Sequence, residues 1–308
     1  MVLGKIVAGM AVAGVGTTAW AVAQTRMFGL THETIPVMPP GSAPLRVLHL
    51  SDMHTTIHQR RKISWLRQLD EAVQPDLTVV TGDFLGHTGA VPVVLDALGG
   101  LLERPGVFVL GSNDYYAPRT VNPAAYLLRP SEVERTEPTM PWGDLVAGLR
   151  EAGWLDLDNA EGVLDLGPQG LPVAFRGVDD PHIGLDRYVE VAGPFPAASL
   201  RVGVVHAPYL RVLDAMADDG AHLILAGHTH GGQVCLPTGR PIVTNCDLDP
   251  ARAKGLSHHR VGQQVADNEA DGAYLYVSQG LGTAPTAPIR LFCPPRAALL
   301  TLVSRQLR

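Results

Sequence analysis

Short apolar runs that stop abruptly at glycine, aspartate, asparagine or histidine recur along this chain, and that pattern constrains its fold more than any other feature. Leu45 to Leu50, Leu77 to Val80 and Val107 to Leu110 are short and largely without polar alternation, as expected of strands covered on both faces. Between them lie longer stretches, about Arg60 to Val73 and Val91 to Leu101, that predict helices. Strands alternating with helices indicate βαβ units and a largely parallel sheet. A further helix is expected at about Gly143 to Glu151. Strands follow at Gly162 to Leu166, Leu171 to Phe175, Leu200 to Val205, Ala221 to Leu225, Ala273 to Val277 and Ala297 to Leu302. A second half this rich in strand fits an α/β architecture of two packed sheets flanked by helices better than one Rossmann sheet. The proline-punctuated stretch from Pro118 to Pro141 reads as a long loop or small insertion over the active face.

With 308 residues and 46% apolar composition the chain can bury a real core, as one large domain or two ordinary ones. Its formal charge of −6 argues against a nucleic-acid coat protein, which needs a basic surface to displace counterions from phosphates. No stable nucleic-acid partner is expected, although a local site for one phosphate remains compatible. The three cysteines, Cys235, Cys246 and Cys293, form no CxxC pair and read as buried or inert thiols. No glycine fingerprint follows the first strand, as a dinucleotide fold would need, and no Gly-x-Ser-x-Gly elbow marks a serine hydrolase.

The amino terminus differs from the rest. Ile6 to Ala23 carries no charge, with Lys5 before it and Arg26 after it, and its length of roughly 18 residues is just enough to span a bilayer. Residues 1–26 therefore read as an apolar helix that is either a retained membrane anchor or a signal segment, the anchor being favoured. Ala19-Trp20-Ala21 and Ala21-Val22-Ala23 resemble small-x-small cleavage sites. A helix buried within the fold is the plain alternative. Residues 27–44, with four prolines between Pro36 and Pro44, read as a linker, and the folded domain is expected to span 45–308. The chain is expected to be associated with a bacterial cell membrane, or exported if the segment is cleaved. Lys5 and Arg26 nearly cancel under the positive-inside rule, which leaves orientation open.

The polar clusters carry the chemistry. The first strand runs into Ser51-Asp52-Met53-His54, the second into Gly82-Asp83, the third into Gly111-Ser112-Asn113-Asp114. Two later runs end in His206 and in Gly227-His228-Thr229-His230. On an extended chain residues two apart point the same way, so Asp52 and His54 can reach one metal. One strand-terminal Asp is most often a cap or turn residue. Five such clusters at five strand ends, where ligands of open α/β sheets gather, indicate a metal site. Oxygen and imidazole donors without thiolate suit manganese, iron or zinc. A bridging carboxylate lets two cations clamp a phosphoryl group, and Asp83 is the natural bridge. Lone histidines such as His49, His58, His87, His182 and His222 read as structural or surface groups.

Taken in order and spacing, Asp52-x-His54, Gly82-Asp83, Gly111-Ser112-Asn113-Asp114, His206 and Gly227-His228-Thr229-His230 resemble the calcineurin-like metallophosphoesterase superfamily. The likeness extends over roughly Leu45 to Leu302. Gly231-Gly232-Gln233, Gly280-Leu281-Gly282-Thr283 and the run Pro288 to Pro295 resemble its bacterial membrane-associated, YkuE-type branch. The resemblance implies a two-sheet α/β sandwich and two divalent or mixed-valence metal ions. Asp52, His54 and His230 would hold one ion, His206 and His228 the other, with Asp83 between them. It also implies a metal-dependent hydrolase that cleaves a phosphodiester, pyrophosphate or phosphomonoester with a metal-activated hydroxide, on a small-molecule or lipid substrate.

One departure bears on activity. The family's third motif has a metal-ligating asparagine followed by a histidine that contacts phosphate or protonates the leaving group. Here Ser112 and Asn113 stand in those places. Either Ser112 is a weak ligand and Asn113 a neutral donor, or Asn113 supplies the ligand oxygen, the reading favoured here because a serine hydroxyl is a poorer donor to a divalent cation. Both remove the imidazole acid, whose help is typically worth about 10²–10⁴-fold, so phosphodiesters and pyrophosphates are expected over monoesters. Tyr115, Tyr116, His182 or His87 could take its place. The competing function is a metal-binding scaffold with this fold and little turnover.

Overall fold

The computed structural model describes residues 16–118, 137–262, 272–283 and 287–305. Strands β1 (Gly29–Met38), β2 (Leu45–Leu50), β3 (Leu77–Thr81), β4 (Gly106–Val109) and β5 (Leu155–Asp156) share one sheet with β12 (Arg296–Ser304). The second sheet holds β6 (Ala160–Leu166), β7 (Leu171–Gly177), β8 (Leu200–Val205), β9 (Leu223–Ala226), β10 (Gly255–His259) and β11 (Ala273–Val277). Their orders are β1-β12-β2-β3-β4-β5 and β10-β11-β9-β8-β7-β6. Pairing from β2 to β5 and from β7 through β8 and β9 to β11 is parallel, while β2 with β12, β6 with β7 and β10 with β11 pair antiparallel.

Side-chain alternation along each central strand divides the core into layers. Val47, Val79 and Val107 of the first sheet meet Val202, Val204, Leu223 and Leu225 of the second, forming the layer between the sheets. Their neighbours Leu48, Val80 and Phe108 face helices Arg60–Arg67, Leu69–Val73, Val91–Leu98 and Trp142–Glu151. On the far side Val205, Ile224 and Ala226 pack with Val212, Leu213 and Met216 of helix Leu210–Asp218. Both faces of β3, β4, β9 and β11 are buried, which explains their predominantly apolar composition. Each fully buried Leu or Val contributes about 1.5–3 kcal/mol. The two-sheet α/β sandwich flanked by helices is thus the expected one.

Local differences from the expected elements have physical causes. The segment read as a linker, 27–44, is instead largely strand: Gly29–Met38 pairs in parallel with β12 as the edge of the first sheet. Pro36 fits there because proline is tolerated on an edge strand, where one side of the ladder needs no donor. The stretch Arg60 to Val73 is two helices divided at Gln68. Strand β10 and helix Leu210–Asp218 were not foreseen. The sequence Gly255-Leu256-Ser257-His258-His259 carries too little apolar signal to be read as a strand.

At the amino terminus residues 16–24 are helical, with Ala21 buried and Trp20 exposed. The backbone N–H of Arg290 donates to Ala21 O at 3.0 Å. Residues 1–15, most of the expected apolar helix, lie outside the described residues, as does 119–136 of the Pro118 to Pro141 stretch. Among the described residues no helix is long and apolar enough to cross a membrane.

His49 sits on β2 on the face turned to the second sheet, fully buried, its Nε2 2.9 Å from Thr81 Oγ1 and its ring edge-on to Tyr276. Burial pulls this imidazole down to about 3. An unfolded histidine titrates near 6.5, so between these values the unfolded chain binds a proton that the native chain does not, and stability falls as pH falls through that window. In chelator, the denaturation midpoint should therefore drop less steeply from pH 6.5 to 4.5 in a His49→Leu variant than in the parent. Parallel slopes would show that His49 is not held neutral.

Candidate metal centre

The carboxyl ends of β2, β3 and β4 meet those of β8 and β9, and every strand-end cluster singled out in the sequence arrives there. Backbone pairing between the two first loops builds the floor. Asp52 N donates to Gly82 O at 3.0 Å, His54 N to Asp83 O at 2.8 Å and Thr55 N to Phe84 O at 2.8 Å. Across the gap His228 N donates to both carboxylate oxygens of Asp52, at 3.1 Å each. Gly227 permits that approach, because a Cβ there would stand 1.9 Å from Ser51 Oγ and 3.0 Å from Asp52 Oδ2.

Donor atoms of Asp52, His54, Asp83 and His230 lie within 4.8 Å of one another, and all four residues are buried. His54 Nε2 is 3.4 Å from Asp83 Oδ2 and 3.2 Å from His230 Nε2, with the two rings stacked. His230 Nε2 is 3.6 Å from Asp52 Oδ1, and His206 Nε2 is 3.6 Å from Asp83 Oδ2. His228 lies edge-on to His206 with ring centroids 5.2 Å apart. Its Nε2 is 3.3 Å from Asn245 O, leaving Nδ1 as the nitrogen for a ligand. The backbone is strained at these positions. Asp52 (φ 48°), His54 (40°), Asp83 (56°), His228 (68°) and His230 (50°) all lie in the left-handed region. Non-glycine residues there cost about 1–3 kcal/mol each and persist where surrounding structure enforces them, commonly at functional sites.

Electrostatics show which of these groups are held neutral and which charged. Burial pulls His54 down to about 4 and holds His228 and His230 well below the ordinary imidazole value. Burial pushes Asp52 up to about 6 against the pull of His206. Asp83 is pushed up by burial too, but His206, His54 and the Asn113 hydrogen bonds outweigh this and hold it below the ordinary range. His206 resists burial because Asp83, Asp180 and Asp52 drive it up to about 9. His206 Nδ1 is 2.7 Å from Thr81 O, and its buried Nε2 has no hydrogen-bond partner. Donation from Nδ1 to that carbonyl fixes the ring, and a cation that displaced the proton from Nε2 would take up the lone pair freed there. Neutral imidazoles, two buried carboxylates and an unpartnered nitrogen form a donor set that fits divalent cations.

The third cluster places Asn113 against the central carboxylate. Its backbone N–H donates to Asp83 Oδ1 and its Nδ2 to Asp83 Oδ2, both at 2.8 Å, while Ser112 Oγ stands 3.4 Å from the same Nδ2. Of the residues considered to replace the missing imidazole, Tyr115 donates its hydroxyl to the Asp179 carboxylate at 3.0 Å. His87 is exposed and accepts from Gly89 N. His182 stands beside the cluster, its ring centroid 4.4 Å from that of His228, and Tyr116 packs at a tilt on Tyr115. His49 lies against Thr81 and His222 against the Arg201 guanidinium.

Several supporting residues escaped the sequence reading. Asp114, fully buried, accepts backbone N–H bonds from Asp83 at 2.8 Å, Leu85 at 2.9 Å and Gly111 at 3.0 Å, pinning two loops together. Its place within the third motif was a usable signal. Arg290, also fully buried, donates to Gln279 O, Gly280 O, Gly282 O and His230 O. That ties the late glycine run to His230. Gly282 lies so close that a Cβ there would stand 2.7 Å from Asp52 O and 2.8 Å from His54 Cδ2, which is why this run is small. Cys235, Cys246 and Cys293 are free thiols.

Known proteins share this arrangement of sequence. The chain is similar to protein YpbG of Bacillus subtilis (strain 168), 26% identical over 309 residues that cover 94% of this chain and 96% of that protein. It is 24% identical to the B. subtilis metallophosphoesterase YkuE over 98% of this chain and 94% of that protein. A Bos taurus transmembrane protein with a metallophosphoesterase domain is 27% identical over 67% of this chain and 45% of that protein. The model of the calcineurin-like phosphoesterases matches residues 45–232, more than half of the chain and a span holding every residue of the buried cluster, and the protein belongs to that family.

Proposed function

We propose that this protein hydrolyses phosphodiester or pyrophosphate bonds with two metal ions. The observation that carries the reading is the convergence of Asp52, His54, Asp83 and His230 within 4.8 Å, buried and strained, with His206 Nε2 unpartnered beside them. Asp52, His54 and His230 would hold one ion, His206, His228 and Asn113 the other, and Asp83 both. Manganese, iron or zinc suits this mixture of carboxylate and imidazole. When bound, such a pair lowers the pKa of water toward neutrality and neutralises the phosphoryl oxygens.

The chain's own residues prepare that chemistry. Ser51 Oγ and His228 N donate to Asp52 and aim its carboxylate. The Thr81 carbonyl orients His206, and Arg290 braces His230 through its carbonyl. Asn113 keeps the amide of its side chain on Asp83. Since the two ends of an amide are nearly isosteric, rotation by half a turn puts an oxygen where the nitrogen now lies, supporting Asn113 over Ser112 as ligand. The amide cannot supply the acid that an imidazole would, which favours substrates with good leaving groups.

A lipid or cell-envelope phosphoester is the substrate class we favour. The apolar run Ile6 to Ala23 supports membrane association, and the bovine relative is named as a transmembrane protein. A metal-binding scaffold would share the ion site but not turnover.

Asp83→Ala should bind less than two metal equivalents per chain by elemental analysis and lose hydrolysis of bis-p-nitrophenyl phosphate. Full metal-dependent turnover in that variant would remove the bridge. The double variant Ser112→Asn with Asn113→His, which keeps an amide ligand and restores the imidazole, should raise the rate on alkyl phosphodiesters by about 10²-fold or more, the ordinary yield of acid assistance. It should change little with nitrophenyl leaving groups. An equal effect on both would mean that leaving-group protonation is not what the third motif lost.

A further inference from the structure

The turn after β7 stands at the second-ion half of the centre, and the phosphoesterase motifs do not account for it. It runs Asp179-Asp180-Pro181-His182-Ile183-Gly184 and folds as a single 3-10 turn, Pro181–Ile183. Asp180 caps it, accepting His182 N at 2.8 Å through Oδ1. Gly184 closes it in the left-handed region at φ 62°. These constraints set His182 against His228, with ring centroids 4.4 Å apart. Tyr209, four residues past the β8 end that carries His206, lies on the other side, its hydroxyl 3.0 Å from His182 Nδ1. The two rings stack at 6.2 Å. His182 is partly exposed, unlike His206 and His228.

We propose that His182 is the residue that grips the phosphoryl group of a bound substrate at the second-ion side, in place of the imidazole absent from the third motif. The proposal rests on the reading of this centre as a phosphoesterase. In the tautomer where Nδ1 accepts from the Tyr209 hydroxyl, 3.0 Å away, the ring hydrogen is on Nε2, and in the proposal that N–H donates to a phosphoryl oxygen. Asp180 fixes the backbone of the turn and Tyr209 the ring rotation, so both are positioning residues. The role passes from the first sheet, at Asn113, to the second, at His182. His182 acts here as a neutral hydrogen-bond donor, and no proton changes owner.

The probe is inorganic phosphate, titrated by calorimetry into the full-length, metal-loaded protein. His182→Ala should weaken phosphate binding about ten-fold or more, as expected for loss of a hydrogen bond to a charged group. It should leave metal content at the parent value. His182→Gln, which keeps an N–H donor, should restore part of the affinity, and Tyr209→Phe should show a smaller loss with an unchanged melting temperature. Unchanged phosphate affinity in His182→Ala overturns the proposal, and so does loss of a metal equivalent, which would make His182 a ligand. The two readings fail separately. A parent protein that binds phosphate through His182 but cleaves no ester sinks the hydrolase reading alone. A parent that cleaves esters with no contribution from His182 sinks this one alone.

Discussion

Two sheets can pool their strand-end residues only if their carboxyl edges come closer than side chains normally allow. That contact is made where Gly227 lies against Ser51 and Asp52, and the remainder of the centre depends on it. With the edges joined, His228 N reaches the Asp52 carboxylate, His230 reaches His54, and His206 reaches Asp83. The layer of valines and leucines between the sheets sets the distance from below. The geometry of the site is therefore a property of the core.

The arrangement is costly to hold. Left-handed backbone at Asp52, His54, Asp83, His228 and His230 adds strain of about 1–3 kcal/mol at each position. Removing two carboxylates and several imidazoles from water adds to it. Asp114 and Arg290, each buried and each holding several backbone groups, offset part of that cost by making the loops cooperate. A cation bound by the native state and not by the unfolded chain would stabilise the fold by mass action. Metal binding and folding would thus be coupled through the same residues.

The clustered residues are legible in the sequence because they follow apolar runs, so the strand that positions each one and the residue itself are read together. The layering followed for the same reason, since Val79 and Val80 or Leu223 and Ile224 must face opposite ways. Other parts were silent. Pro36 in β1 resembles linker because edge position is a tertiary fact, and the weak pattern of β10 depends on its partner β11 for definition. Arg290 could be seen as part of a motif, but not as a buried brace, since nothing local announces which carbonyls will converge on a guanidinium. His182 reads in the sequence as one isolated histidine among four candidates for the missing acid, with nothing local to single it out. Its neighbour His228 is 46 positions away, and only the alignment of β7, β8 and β9 brings them together.

Strand β12 lies between β1 and β2, although β1 precedes β2 by only a few residues in the chain. The amino-terminal strand therefore has no place in the sheet until β12 has been synthesised, after every other strand described, and inserted. Pairing across so long a stretch of chain closes a large loop and is intrinsically slow. During synthesis the segment from Gly29 to Met38 must wait unpaired, while β2, β3 and β4 already have neighbours. The helix at 16–24, whose Ala21 O accepts from Arg290 N, depends in the same way on a segment made late in synthesis.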